Sequence, residues 1–272
     1  MVDERALIER LQRGDPSAFR ETFDQHKDRL YRLALNLLHD PDEAEDAVQE
    51  AFISLTRGIA DFEGRSQLGT WLYRVTYNAA LQRLRRAQRP QRSVSDDSAA
   101  AERLEDPSAG PEERLDAAEL RRRLDAAMAT LPDSLRMAFF LRDVEGLSTL
   151  EAADTLGVTE SALKVRLHRA RLALREQITD GPLPGTTTAA GMSCEMAVSH
   201  VSDYLDGALA DDIRTRVEAH VEGCDHCRIT LDSTRHTVAL AGERRAILLP
   251  APRSVRLFTR LQAILAARAP EA

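Results

Sequence analysis

His220, Cys224 and Cys227 stand at H-x3-C-x2-C spacing, and Cys194 lies upstream of them. An imidazole and three thiolates are the donor set of a tetrahedral zinc site. Ile213, Val217 and Val221 predict a helix before the motif, with His220 on its last turn and Gly223 reversing the chain so that both thiolates face the imidazole. Four protein ligands leave no position for water, so the expected zinc is structural or regulatory rather than hydrolytic. His200, His226 and His236 are alternative ligands, and buried cysteines without metal are the bland reading. The three cysteines make no even disulfide framework, and their clustering suits a metal site in a reducing compartment.

A second chemistry is written in LSTLEAADTLGVTESALKVRLHRARLALR, residues 147–175. Ser148 and Glu151 form a capping box, Gly157 permits a tight turn, and Thr159 caps a second helix. Leu163, Leu167, Ala170 and Leu174 share that helix's buried stripe. Ser161, Lys164, Val165, His168 and Arg169 then project away from it, where a recognition helix meets base edges, and Arg166 and Arg171 flank them toward phosphates. The plain alternative is a solvated basic helix in an unrelated bundle.

The elements that must position these residues are helical. With 272 residues, 43% apolar and only 4% aromatic, the chain can build two or three small cores rather than one large one. No alternating β-branched run of strand length stands out, so the expected fold is all-α and multi-domain. Residues 1–88 read as a first helical domain, with helices through Phe19 to Leu38, from about Asp42, and from Thr70. Residues 89–112 read as an acidic flexible linker, 113–178 as a second domain of four short helices, and 179–192 as a second linker. A cysteine-bearing helical unit at 193–235 and an amphipathic C-terminal helix and tail at 236–272 follow. The second linker, if flexible, reaches about 20 Å.

Net charge is −7, which argues against a nonspecific nucleic-acid coat, but the charge is segregated. Gly64 to Ser95 holds seven arginines and no acid, whereas Asp96 to Leu120 holds nine acids against Arg103 and Arg114. No apolar stretch approaches the ~18–20 residues of a membrane span. A cytoplasmic protein without membrane contact is expected.

Residues 131–171, LPDSLRMAFFLRDVEGLSTLEAADTLGVTESALKVRLHRAR, resemble region 4 of extracytoplasmic-function sigma factors. DPDEAEDAVQEAFISL resembles the region 2 helix that docks on RNA polymerase, and FEGRSQLGTWLYRVTYNAALQRLRR resembles the segment that reads and melts the minus-ten element. The resemblance spans about residues 15–178 and implies a factor that brings core RNA polymerase to promoter DNA. It implies polymerase contacts at Asp46, Gln49 and Glu50, and base capture by the Arg65, Ser66, Gln67 loop. Capturing unpaired bases favours aromatic faces beside arginines, which Trp71, Tyr73, Arg74, Tyr77 and Asn78 supply on one helix. Helical phase puts Trp71 inward with Leu68, Leu72 and Val75 and turns Tyr73 and Tyr77 outward. Arg83, Arg85 and Arg86 are expected to track phosphates.

Residues 194–227 resemble a zinc-binding anti-sigma domain, including its YLDG helix end. In that family a zinc-held bundle and one further helix cover a sigma factor's polymerase-binding surfaces, as a separate protein. Fusion to the sigma regions implies an intramolecular contact and leaves three roles open: inhibition, sensing, or a required part of the active factor. Competing readings are a stand-alone helix-turn-helix regulator, against which residues 15–88 argue, and a metal- or redox-sensing binding protein with the sigma regions as its ligand. No phosphate loop, nucleophile–base pair or open metal site suggests an enzyme.

Overall fold

The computed structural model describes residues 4–87, 111–178, 188–189 and 191–266. Most of the two expected linkers, 89–112 and 179–192, lies outside these residues. The fold is all-α: α1 (Glu4–Gln12), α2 (Pro16–Leu38), α3 (Pro41–Gly58), α4 (Leu68–Ala87), α5 (Pro111–Thr130), α6 (Asp133–Phe139), α7 (Thr149–Leu156), α8 (Glu160–Ile178), α9 (Cys194–Leu205), α10 (Asp211–Glu222), α11 (Asp225–Gly242) and α12 (Ala251–Ala266). A two-residue antiparallel ladder, β1 (Thr188–Ala189) with β2 (Met192–Ser193), precedes α9. Two units cluster by contact: Met1–Leu104 with Asp154–Gly157 and Arg245–Ala272, and Glu105–Ala153 with Val158–Arg244.

In unit 1, α2, α3 and α4 pack on one another around Phe23, Phe52, Leu30, Leu33, Leu37, Leu55, Leu68 and Leu72. Proline opens both α2 and α3 at positions where no amide donor is needed, and Asp15 and Asp40 accept the free amides of the first turns. His39 joins the two helices in the left-handed conformation, φ 56°. Charges interrupt the apolar pairs of α1 and hid it from the sequence reading, yet Leu7 and Leu11, one turn apart, bury enough of one edge to seat it.

Helix α12 belongs to this unit. Leu257, Phe258 and Leu261 form its buried edge, and the Phe258 ring lies 5.0 Å from that of Phe23 and 6.3 Å from that of Phe19. Arg20 stacks over the Phe258 ring at 4.2 Å. The strand of chain before α12 is tied to α2 by polar bonds: the Arg32 guanidinium donates to the carbonyls of Arg245 and Ile247, and the Leu249 amide donates to Asp28.

In unit 2, α6 runs into a single π-helical turn, Phe140–Val144, and Phe139, Phe140, Leu141 and Val144 fill the core against α8. Helix α11 packs against α5, α8, α9, α10 and the π turn, and runs through residue 235 to Gly242. Its inner face is rich in threonine: Thr230, Thr234 and Thr237 are buried, each hydroxyl donating to the carbonyl one turn back at 2.7–2.9 Å.

Candidate nucleic-acid interface and metal centre

The turn between α7 and α8 is built as its residues dictate. The Ser148 amide donates to the Glu151 carboxylate at 2.8 Å, and the Glu151 amide returns a bond to Ser148 Oγ at 3.2 Å. Gly157 takes φ 64°, and Thr159 Oγ1 accepts from the Ala162 amide. Leu163, Leu167, Ala170 and Leu174 are buried, which fixes the rotation of α8. Ser161, Lys164, Val165 and Arg169 are exposed, and Arg166 and His168 are half-buried, with burial pushing the His168 imidazole's pKa down.

Arg171 departs from expectation. Placed on the phosphate side from helical phase, it is 2% exposed. Its guanidinium donates to both Asp143 oxygens at 2.6 and 2.8 Å, to Ser202 Oγ at 2.7 Å, and to Asp206 at 2.9 Å. Asp206 also pairs with Arg142 at 3.2 Å. The reason is tertiary: α9 packs on α8 and supplies acceptors that a periodicity argument cannot see. Burial raises the pKa of the Asp143 carboxyl against the opposing pull of Arg171; burial also opposes the Arg171 charge, but its carboxylate partners outweigh that and raise its pKa.

In unit 1, Arg65 and Gln67 are exposed and Ser66 is half-buried just before α4, with Arg65 on Glu63. Trp71, expected inside, is half-buried with its ring edge-on to Phe62 at 6.2 Å. Tyr73, expected outside, is 2% exposed with Arg29 over its ring, because α2 covers that side of α4. Arg74 and Tyr77 are half-buried, and Asn78, Arg85 and Arg86 are exposed. Arg83 is turned from phosphate tracking by α3, whose Glu43, Asp46 and Glu50 lie 2.6, 3.5 and 4.0 Å from its guanidinium. Asp46 and Gln49 are half-buried and Glu50 is exposed. The same acidic face receives α12. Arg253 pairs with Asp42 and Glu45, and Arg260 with Asp46 at 3.4 Å. The Arg253 hydrogen bond lowers the pKa of Asp42.

Cys194, His220, Cys224 and Cys227 come together as the sequence spacing predicts. Their ligand atoms all lie within 4.8 Å of one another, and all four residues are buried. Cys194 Sγ is 3.6 Å from Cys224 Sγ, and His220 Nε2 is 3.3 Å from Cys227 Sγ. Zinc–sulfur and zinc–nitrogen bonds of about 2.3 and 2.0–2.1 Å imply tetrahedral edges of roughly 3.8 and 3.6 Å, so the cluster has the size of a zinc shell. The Cys227 amide lowers the Cys224 thiol's pKa, and burial raises that of Cys227. Three adjoining buried thiols become thiolates together only with a cation among them. Gly223 ends α10 at φ −93°, and the chain reverses there without a left-handed residue. His200, His226 and His236 stay outside the cluster.

Asp28, Arg32, Asp143, Ser202 and Asp206 were not singled out from the sequence; each acts through a partner more than 20 positions away. Only the YLDG resemblance pointed near Asp206.

These arrangements define a helix-turn-helix protein with a second helical unit and a thiol-rich bundle. Residues 22–90 match the Sigma-70 region 2 model, 121–174 the Sigma-70 region 4 model, and 194–228 a putative zinc-finger model. The chain is 32% identical over 179 residues to the ECF RNA polymerase sigma factor SigW of Bacillus subtilis, covering 64% of this chain and 95% of SigW. It is 33% identical over 182 residues to the ECF RNA polymerase sigma-E factor of Escherichia coli, covering 65% and 95%. Among solved structures, the sigma factor RpoE in complex with the anti-sigma factor NepR from Bartonella quintana matches at 25% identity and TM-score 0.46, covering 56% of this chain and 90% of that one. The chain belongs to the extracytoplasmic-function RNA polymerase sigma factors. It directs RNA polymerase to promoters, as an initiation factor rather than an enzyme. The Cys3His cluster and the zinc-finger match point to zinc binding. No helix among the described residues is long and apolar enough to cross a membrane.

Proposed function

We propose that this chain is a self-restrained sigma factor of the cytoplasm, whose own C-terminal residues hold it closed until a metal or redox signal, or core polymerase, displaces them. Residues 1–88 are the polymerase-docking and minus-ten domain, 113–178 the minus-thirty-five domain, 193–242 the zinc-binding anti-sigma-like module, and 243–272 its last helix and tail; 89–112 and 179–192 are linkers. Asp46, Gln49 and Glu50 face polymerase. Arg65, Ser66, Gln67, Trp71, Arg74, Tyr77, Asn78, Arg85 and Arg86 serve the minus-ten element, and Ser161, Lys164, Val165, Arg166, His168 and Arg169 the minus-thirty-five element. One zinc, bound by Cys194, His220, Cys224 and Cys227, holds the module together.

The observation that carries this reading is α12 on α3. A basic amphipathic helix from the chain's end lies on the acidic face that includes Asp46, with Phe258 seated among the aromatic rings of unit 1. Polymerase and α12 would then contend for one surface. A linker of about 20 Å gives an effective concentration on the order of millimolar, so micromolar intrinsic affinity favours closure about a thousandfold. Run-off transcription with purified core polymerase tests it. Truncation after Ile178 should raise output under reducing, zinc-replete conditions; a lower output would make the module an activating part.

A further inference from the structure

Helix α8 carries a polar stripe at helical spacing, Ser161, Lys164, His168, Arg171 and Arg175, and the structure divides it sharply. Ser161 and Lys164 are exposed, His168 is half-buried, and Arg171 and Arg175 are 2% and 3% exposed. What covers the C-terminal half is α9 and α11. Ser202 and Asp206 hold Arg171, and His168 borders a cleft lined by Cys194, Glu195, Val198, Ser199 and His226. Beside the open half, Arg169 is exposed and Val165 is 51% exposed. A recognition helix reads base edges with its N-terminal residues. The turns of α8 suited to reading are therefore those the zinc-bearing bundle leaves uncovered, while the restraint assigned above falls on α3, in the other unit.

We propose that the closed chain, zinc-loaded and without polymerase, binds duplex DNA carrying its own upstream promoter element, through Ser161, Lys164, Val165 and Arg169. This rests on the self-restrained reading and adds an activity to the closed state. Lys164 and Arg169 supply donors for base edges or phosphates, and the exposed Val165 between them suits a thymine methyl group. Asp206 holds Arg142 at 3.2 Å, and Asp143 and Asp206 together hold Arg171, so neither guanidinium is counted among the DNA contacts.

The test has two arms, both on full-length protein. In the first, the zinc-loaded wild-type chain selects from a random duplex pool without polymerase. In the second, the Phe258→Asp variant, built to free α12, transcribes a promoter library with core polymerase and so defines the upstream element. The expected result is one motif from both arms, with Lys164→Ala and Arg169→Ala each lowering the chain's affinity for it at least about fivefold. Asp206→Ala, which removes an acceptor that joins the bundle to Arg171 of α8, should select the same motif. Selection by Asp206→Ala but not by the wild-type chain would overturn the proposal, because the bundle would then hide the reading turns. So would failure of both to select while the second arm yields an element. If the second arm yields no upstream element, the self-restrained reading itself fails, and the proposal with it.

Discussion

In unit 1 the last helix is held by an aromatic seat and by three arginines, of which Arg256 and Arg260 stay largely in water, at 62% and 51% exposed, and Arg253 less so, at 24%. In unit 2 the bundle around the four metal-type ligands is joined to α8 through Arg171, 3% exposed, which pairs both with Asp143 of the π turn, also 3% exposed, and with Asp206, at 16%. Exposed pairs contribute about 0–1 kcal/mol each, so apolar burial does most of the holding in unit 1. A buried pair contributes little net stability over an apolar substitute, yet losing one partner costs about 3–5 kcal/mol. The first contact can therefore be weakened by degrees. The second tolerates no partial loss.

The largest effect should come from the metal. Stripping zinc with a chelator, or Cys224→Ser, should destabilise the α9–α11 bundle on the order of 10 kcal/mol, the scale of structural zinc binding. Metal analysis should find one zinc per chain in the wild type and far less in the variant, with helical circular dichroism falling in parallel. Full zinc retention by Cys224→Ser would remove that residue from the shell.

Next comes Arg171→Ala, expected to destabilise unit 2 by about 3–5 kcal/mol because Asp143 is left buried without a cation. The loss should depend on pH. A carboxyl whose folded pKa is raised favours folding below its unfolded pKa and loses that advantage as pH climbs through the folded one. Without Arg171 the folded pKa of Asp143 rises further, so the variant's deficit should be greatest at neutral pH and shrink as the carboxyl protonates toward about pH 4. Urea unfolding at both pH values checks this; an equal deficit at both would deny Asp143 its part.

Phe258→Ala should weaken the α12 contact by about 3 kcal/mol, the usual size for removing a buried ring, and raise run-off transcription with zinc still bound. Arg260→Ala should sharpen the contrast from the other end, costing less than about 1 kcal/mol at low salt and nothing measurable at high salt. A large, salt-independent loss there would mean that charge rather than the aromatic seat holds α12.

Much of this was legible in the sequence where one face of a helix is apolar and its ends are marked. The α7–α8 turn, with Ser148, Glu151, Gly157 and Thr159, is one case; the metal-ligand set is another, because thiols and imidazole at that spacing have few other uses. What escaped were faces buried by a partner far along the chain. Tyr73 and Arg83 read as outward because α4 alone says nothing of Arg29 or Glu43. Arg171 read as a phosphate ligand because Asp206 lies 35 positions away. The length of α11 was obscured by chemistry: three of its seven buried residues are threonines, which do not register as apolar, although each satisfies its hydroxyl within the helix.

Helix α11 also acts as a strut. Its 18 residues span about 27 Å, with Cys227 in the first turn, while at the far end Glu243, just past the helix, pairs with Arg121, and Arg244 pairs with Asp125. Whatever loosens the thiolate end frees a continuous rod whose other end is clamped to α5. Amide exchange along it should then run as a gradient, fastest beside Cys227 and slowest near Leu240, so that a chemical event at sulfur is carried the length of the bundle as a change in where the helix frays.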